Sequence, residues 1–275
     1  VDVIASSIDT HTAVLEFSRC GSRTALSRSF ATSPLKLFAT RACGGACWVY
    51  SSSLGGGLVG GDEIRLSVDV GADARALVTT QASTKVYRSL KRARLDSASR
   101  VADGALLAVV PDPIVCFADA DFVQTQRYEL GSSASLVMVD WFTSGRHAAG
   151  ERWAFKRYET RIDVNRDGKP VLIDALVLEG DLDAVADRMG RVDAFATVII
   201  SGPLVSAQAA DLLDGISRAE VTRRADTVVS AARLRDGGTL LRMAGTDVEE
   251  IGRVLRNSLA FLAALVGDDP WSRKW

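Results

Sequence analysis

The chain has 275 residues, 47% of them hydrophobic and 24% charged, with a formal net charge of −1; that balance is globular and excludes disorder. The two signs are well mixed, which argues against an electrostatic nucleic-acid binder, because such proteins carry a basic stripe. Four cysteines are too few for a disulfide scaffold at this length, and with no legible signal peptide they predict a reducing, cytoplasmic setting. No membrane partner is expected either, because the longest late apolar run, Leu259 to Val266, falls far short of the ~20 residues that cross a bilayer.

Taken in order, Thr12 to Phe17, Thr24 to Phe30, Leu35 to Phe38 and Ala46 to Tyr50 read as short strands bounded by Gly, Ser or Pro. A glycine cluster follows, with five glycines between Gly55 and Gly61, a density tolerated where backbone turns sharply or is approached closely. Ile64 to Val70 and Ala76 to Thr80 are the next strands, separated by a tight turn at Gly71 to Asp73 and followed by the polar segment Gln81 to Ser89. The β signal continues through Ser97 to Val101, Ala105 to Val110, Phe122 to Leu130, Ser135 to Phe142, Phe155 to Val164 and Val171 to Leu178, and fades near Ser201. Asn165-Arg166-Asp167-Gly168 predicts a hairpin with a primed turn, and Gly131-Ser132-Ser133 a looser one of the same kind. Beyond Gly202, Pro203 to Val221 carries a helical stripe, Val228 to Leu234 and Thr239 to Ala244 read as strands, and Thr246-Asp247-Val248-Glu249 is a capping box ahead of an amphipathic helix. No internal repeat or linker is legible. The expectation is a single, mainly β domain over residues 1–275, with stacked strands in 1–201 and a helix-strand-strand-helix arrangement in 203–267.

The glycine loop lacks a following Lys-Ser/Thr and leads into a strand, which removes a phosphate-loop reading. With only His11 and His147, a His-rich zinc or nickel site cannot be assembled in one chain. Cys43 and Cys47, in C-G-G-A-C, offer two soft ligands, but such a pair is more often structural. The basic patch Lys85, Arg88, Lys91, Arg92 and Arg94 reads as a solvated face or a partner surface. More informative are acids inside apolar runs: Asp140 between Val139 and Trp141, Asp174 between Ile173 and Ala175, and Asp112 between two prolines. A carboxylate carried inward costs several kcal/mol unless a cation, hydrogen-bond donors or a metal compensates it. One reading pairs these acids with Arg127, Arg146, Arg152 or Arg161. The other makes them, with Asp62 and the Thr84 hydroxyl, a polar interior path for a hydrated divalent cation, since hard oxygen ligands let an ion move on.

Four motifs in order then resemble a known family. Gly56-Gly57-Leu58-Val59-Gly60-Gly61-Asp62, Thr79 to Ser89 with Lys85, Tyr87 and Arg88, Pro111-Asp112-Pro113 to Phe117, and Asp140 to Arg146 with Gly145, followed by Gly150-Glu151-Arg152, are similar to the urease accessory protein D family, called H in some organisms. The resemblance covers Leu54 to about Leu178. It implies a non-enzymatic chaperone that binds apo-urease and, with the F-type accessory protein and the G-type GTPase, helps install nickel, held only in transit. It also implies a β-strand stack of right-handed helical character with two helices toward the C-terminus, and an internal nickel tunnel for which Asp62, Thr84, Asp140 and Asp174 are the fitting polar positions. Gly55 to Gly61 would then let backbone pack closely at the mouth or wall of the stack. The competing reading is a stand-alone metal-dependent hydrolase with Asp62, Asp140 and Asp174 as ligands.

Overall fold

Period-two alternation builds this chain. Between Asp121 and Leu130, Phe122, Gln124, Gln126, Tyr128 and Leu130 share one buried side, while Arg127 and Glu129 on the other reach solvent. A computed structural model describes residues 12–40, 44–179, 182–220 and 222–272. In chain order it shows β1 (Ala13–Cys20), β2 (Arg23–Ala31), β3 (Leu35–Ala39), β4 (Cys47–Ser53), β5 (Glu63–Val70), β6 (Arg75–Thr80), β7 (Thr84–Val86), β8 (Ala93–Val101), β9 (Leu106–Val109), β10 (Ile114–Cys116), β11 (Asp121–Leu130), β12 (Ser135–Thr143), β13 (Arg157–Arg166) and β14 (Lys169–Glu179). After these come α1 (Leu182–Met189), β15 (Ala194–Ser201), α2 (Ser206–Arg218), β16 (Thr227–Arg233), β17 (Thr239–Gly245), α3 (Val248–Ser258) and α4 (Leu262–Val266).

The strands form two sheets, ordered β14-β13-β11-β8-β5-β1-β2 and β16-β17-β15-β12-β9-β6-β4-β3, with β10 branching from β12 and β7 paired to β10. In the first sheet β5, β8, β11 and β13 run parallel, and in the second β4, β6, β9 and β12 do the same. Because the chain alternates between the sheets, it winds as a stack of coils. Ile64 sits beside Leu95, Leu95 beside Gln124, and Gln124 beside Thr160, an advance of about 30 residues per coil that lies in the range of solenoid repeats. The stacked β architecture expected from the sequence is therefore present, and the reading that no internal repeat exists is corrected: the repeat is structural.

The corners show the repeat most clearly. Ala74, Ala105 and Ala134 donate their N–H groups to the carbonyls of Gly71, Ala102 and Gly131 respectively, and all three alanines are fully buried. Gly131 to Ser133 is thus a corner that carries the chain from β11 in one sheet to β12 in the other, not the hairpin its residues predict. The Asp167-Gly168 hairpin is real: both residues take positive φ, 48° and 71°, and β13 pairs antiparallel with β14.

Helices α2, α3 and α4 cover the outer face of the second sheet, where Ala209, Ile251, Leu255 and Leu262 pack on Leu77, Val137, Val198 and Leu241. Two helices were expected late in the chain; among the described residues there are four. The last amphipathic stretch breaks into α3 and α4, and α1 was hidden because eight residues leave too short a stripe to read. The α3 cap is Asp247, whose carboxylate accepts from Glu249 N at 2.7 Å, one residue later than the Thr246 box predicts. Asp247→Ala is expected to cost about 1 kcal/mol in chemical denaturation.

Between the sheets lie two apolar layers. One gathers Val70, Val101, Leu130, Leu136 and Met138 near the corners; the other gathers Phe122, Phe142, Trp153, Phe155 and Tyr158 at the opposite side. What separates them is polar.

Candidate functional site

The inward residues of β11 run Phe122, Gln124, Gln126, Tyr128, Leu130, and those of β12 run Leu136, Met138, Asp140, Phe142. The ends of each series join the apolar layers, so the middles meet as a polar belt across the interior. This belt surrounds a cavity of about 110 Å³, lined among others by Thr80, Thr84, Ser97, Asp112, Gln124 and Asp140, enough room for several waters. Asp140 is 6% exposed. It accepts from Gln124 Nε2 at 2.8 Å and Thr160 Oγ1 at 2.9 Å, and no ion pair to it occurs among the described residues. Burial pushes its carboxyl above the ordinary value; the Gln124 and Thr160 hydrogen bonds pull it back, and the charge of Asp174 pushes it up again. Such a group gains a counter-charge readily.

Among the described residues, neither Asp140 nor Asp174 takes the expected partner among Arg127, Arg146, Arg152 and Arg161. Asp174 pairs with Arg242 on β17, Oδ1 to Nη2 at 2.5 Å, and Asp112 Oδ2 accepts from the Thr80 hydroxyl, which itself accepts from Asp112 N. Asp62 also departs from expectation. Its carboxylate accepts from Val59 N at 2.8 Å and pins the glycine loop rather than lining the cavity. The convergent Asp62, Asp140 and Asp174 ligand set of the hydrolase reading does not form, and no cluster of three His, Cys, Asp or Glu able to hold a metal occurs among the described residues. Cys47 lies in the apolar layer with its thiol pushed up by burial; Cys43 and His11 lie outside the described residues.

The glycine loop stands at one opening of the belt. A second pocket, lined by Gly56, Leu58, Ser83 and others, shares Ser51, Thr80, Thr84 and Leu95 with the interior cavity. On another side Asp112 and Trp141 separate the cavity from a surface cleft of about 880 Å³ that reaches Gly145 and His147. Gly60 packs so closely on Ser89 that a Cβ there would stand 1.3 Å from its Oγ, and Gly61 uses a φ of 89° to bond Arg92 O.

Equivalent corners of successive coils then stack the remaining motif residues into a column. Gly57 lies under Tyr87, the Tyr87 ring meets Phe117 edge-on at 5.1 Å, and the Arg146 guanidinium sits 4.2 Å above Phe117 while pairing with Glu151. Gly145, with φ of 123°, lets the chain pass close to Cys116 O. Of the basic patch, Arg88, Arg92 and Arg94 pair with Asp119, Asp121 and Asp96, and Lys85 and Lys91 are exposed. A Cβ at Gly57 would lie 2.6 Å from Lys85 O and 2.6 Å from Tyr87 Cε2. Gly57→Ala is therefore expected to lift Tyr87 off Phe117 and to cost about 1–3 kcal/mol, visible as a lower melting temperature and an altered near-ultraviolet tyrosine signal.

The comparisons with known proteins agree on one assignment. The chain matches the UreD urease accessory protein family over residues 10–275. The chain belongs to this family. It is 50% identical over 263 residues to a urease accessory protein UreD of Sorangium cellulosum, covering 95% of this chain and 83% of that one. A second UreD, from Anaeromyxobacter, is 44% identical over 94% of this chain and 88% of its own length. The urease accessory protein D of Arabidopsis thaliana is 32% identical over 92% and 97%. Membership makes this protein an accessory factor in urease maturation and not a catalytic enzyme. Among the described residues no helix is long and apolar enough to cross a membrane.

The residues missed from the sequence are the uncharged ones of the belt: Ser97, Ser99, Gln124, Gln126, Tyr128 and Thr160. Their signal was faint but present. Two glutamines on the same side of β11 as Phe122 and Leu130 have no place in an apolar core unless partners await them.

Proposed function

We propose that this protein serves urease maturation as a scaffold that binds apo-urease together with the F-type accessory protein and the G-type GTPase, in the cytoplasm, and passes nickel through its interior as cargo. The observation that carries this reading is Asp140: a carboxylate sunk between two sheets, held by amide and hydroxyl donors, at the edge of a polar cavity. Two neutral donors offset only part of the cost of burying such a charge, and a passing cation would offset more of it. Thr84 and Asp112 continue the oxygen lining, Asp174 stands on the far side of Asp140, and Asp62 keeps the glycine loop shaped at the mouth. Hard oxygen donors without a tight, convergent cluster suit an ion in transit. Gly56, Gly57, Gly60, Gly61, Lys85, Tyr87, Arg88, Gly145 and Arg146 belong to the rigid surface that partners would meet.

The test is co-purification of this chain with urease and the F and G proteins, followed by urease activity after nickel addition. Loss of activation when this chain is omitted is the expected result. Full activation in its absence refutes the reading.

A further inference from the structure

The inner face of the second sheet carries a polar row beyond the cavity. Registers place Asp140 opposite Thr197, Thr197 opposite Arg242, and Arg242 opposite Ser230 on the edge strand β16. Exposure rises along it, from the buried Asp140 to Arg242 at 47%. Facing this row from the first sheet is β14, whose Asp174, beside Ile162, binds Arg242 across the gap between the sheets. Asp174 is also near enough for its charge to act on Asp140. A pair whose arginine is this exposed contributes little to stability. Its position is the informative part, because a permanent positive charge stands where the polar row reaches solvent.

Resting on the nickel-path reading above, we propose that Arg242 is a charged gate at this outlet. With its guanidinium on Asp174, it opposes a divalent cation leaving Asp140 past Thr197, because like charges repel and water at this partly exposed position screens them only in part. Release follows when an acidic side chain of the docked acceptor protein draws Arg242 away. Asp174 is then bared as the next oxygen ligand along the row. No bond is made or broken and no proton need move; one ion pair is exchanged for another.

The experiment equilibrates the full chain with Ni²⁺, mixes it rapidly with a coloured chelator, and follows the slow phase of release. Arg242→Gln is expected to speed that phase about tenfold, the size of effect one removed charge produces at short range. Asp174→Asn is expected to slow it, because the freed guanidinium keeps its charge in the outlet and can lean toward Asp140. Opposite signs for the two variants are decisive, since a merely structural salt bridge would move both in the same direction. Unchanged or slower release from Arg242→Gln, or equal shifts in both, overturns the gate. Asp140→Asn separates the two readings. If it abolishes the slow phase while Arg242→Gln does nothing, the path stands and the gate falls; if the unaltered chain shows no slow phase, both fall.

Discussion

Replacing Arg166 with alanine is expected to lower the unfolding free energy by about 3–5 kcal/mol, the cost of stripping one partner from a buried ion pair. Arg166 and Asp236 are 14% and 9% exposed and meet at 3.1 Å. The same guanidinium donates to the carbonyls of Gly131 and Ala134 at 2.9 and 2.8 Å and to Ser201 Oγ at 2.7 Å. It therefore fastens the last coil corner, the end of β15 and the β16–β17 turn to one point. Alanine would leave Asp236 with Ser201 and Gly238 N alone, and both corner carbonyls without this donor. Lysine restores the charge but not the planar fork, so Arg166→Lys should recover only part of the loss. Denaturant titration at pH 7 with both variants checks this, and a loss under 1 kcal/mol for alanine would contradict it.

Asp140→Asn should separate stability from function. Asparagine can still accept from Gln124 and can turn its amide toward Thr160 Oγ, so both hydrogen bonds survive without the buried charge. On the nickel-path reading, urease activation should fall at least about tenfold, the loss that even an outer-shell change brings to a metal site, while assembly with partners persists. Stability should rise at neutral pH, by about 1–2 kcal/mol, because a desolvated carboxylate is removed. The sign with pH follows from burial. The folded value of Asp140 lies above the ordinary carboxyl value, so above about pH 3.9 the folded chain retains a proton that the unfolded chain has released. Stability falls as pH rises from there through the folded value, then levels. In the asparagine variant that decline should be absent, and the two proteins should converge below the unfolded value. Thermal melts across pH, read beside urease activation, give both answers. Lost assembly would mean that Asp140 is structural.

Much of this was legible before any coordinates. Alternation placed most strands within a few residues, Asp167-Gly168 gave its hairpin, and acids inside apolar runs pointed to Asp140. What escaped notice did so for identifiable reasons. The coil repeat survives in sequence only as Val70-Gly71-Ala72-Asp73-Ala74, Val101-Ala102-Asp103-Gly104-Ala105 and Leu130-Gly131-Ser132-Ser133-Ala134, where a turn and a buried alanine are retained and little else. β7 and β10 have three residues each, too few for any period to show. Asp174 was read correctly as an inward acid, yet its partner Arg242 lies 68 positions away in sequence, and a strand's pattern tells which side a residue faces but not what stands opposite.

The buried alanines at the corners also constrain how the chain can fold. Each coil closes only when its corner turn finds the coil before it, as Ala102 N finds Val70 O, Gly131 N finds Val101 O and Asp167 N finds Leu130 O. None of these bonds is local, and parallel pairing of this kind is slow to form. During synthesis the nascent chain therefore presents a growing parallel β edge until β14 turns back antiparallel and becomes the last strand of the first sheet.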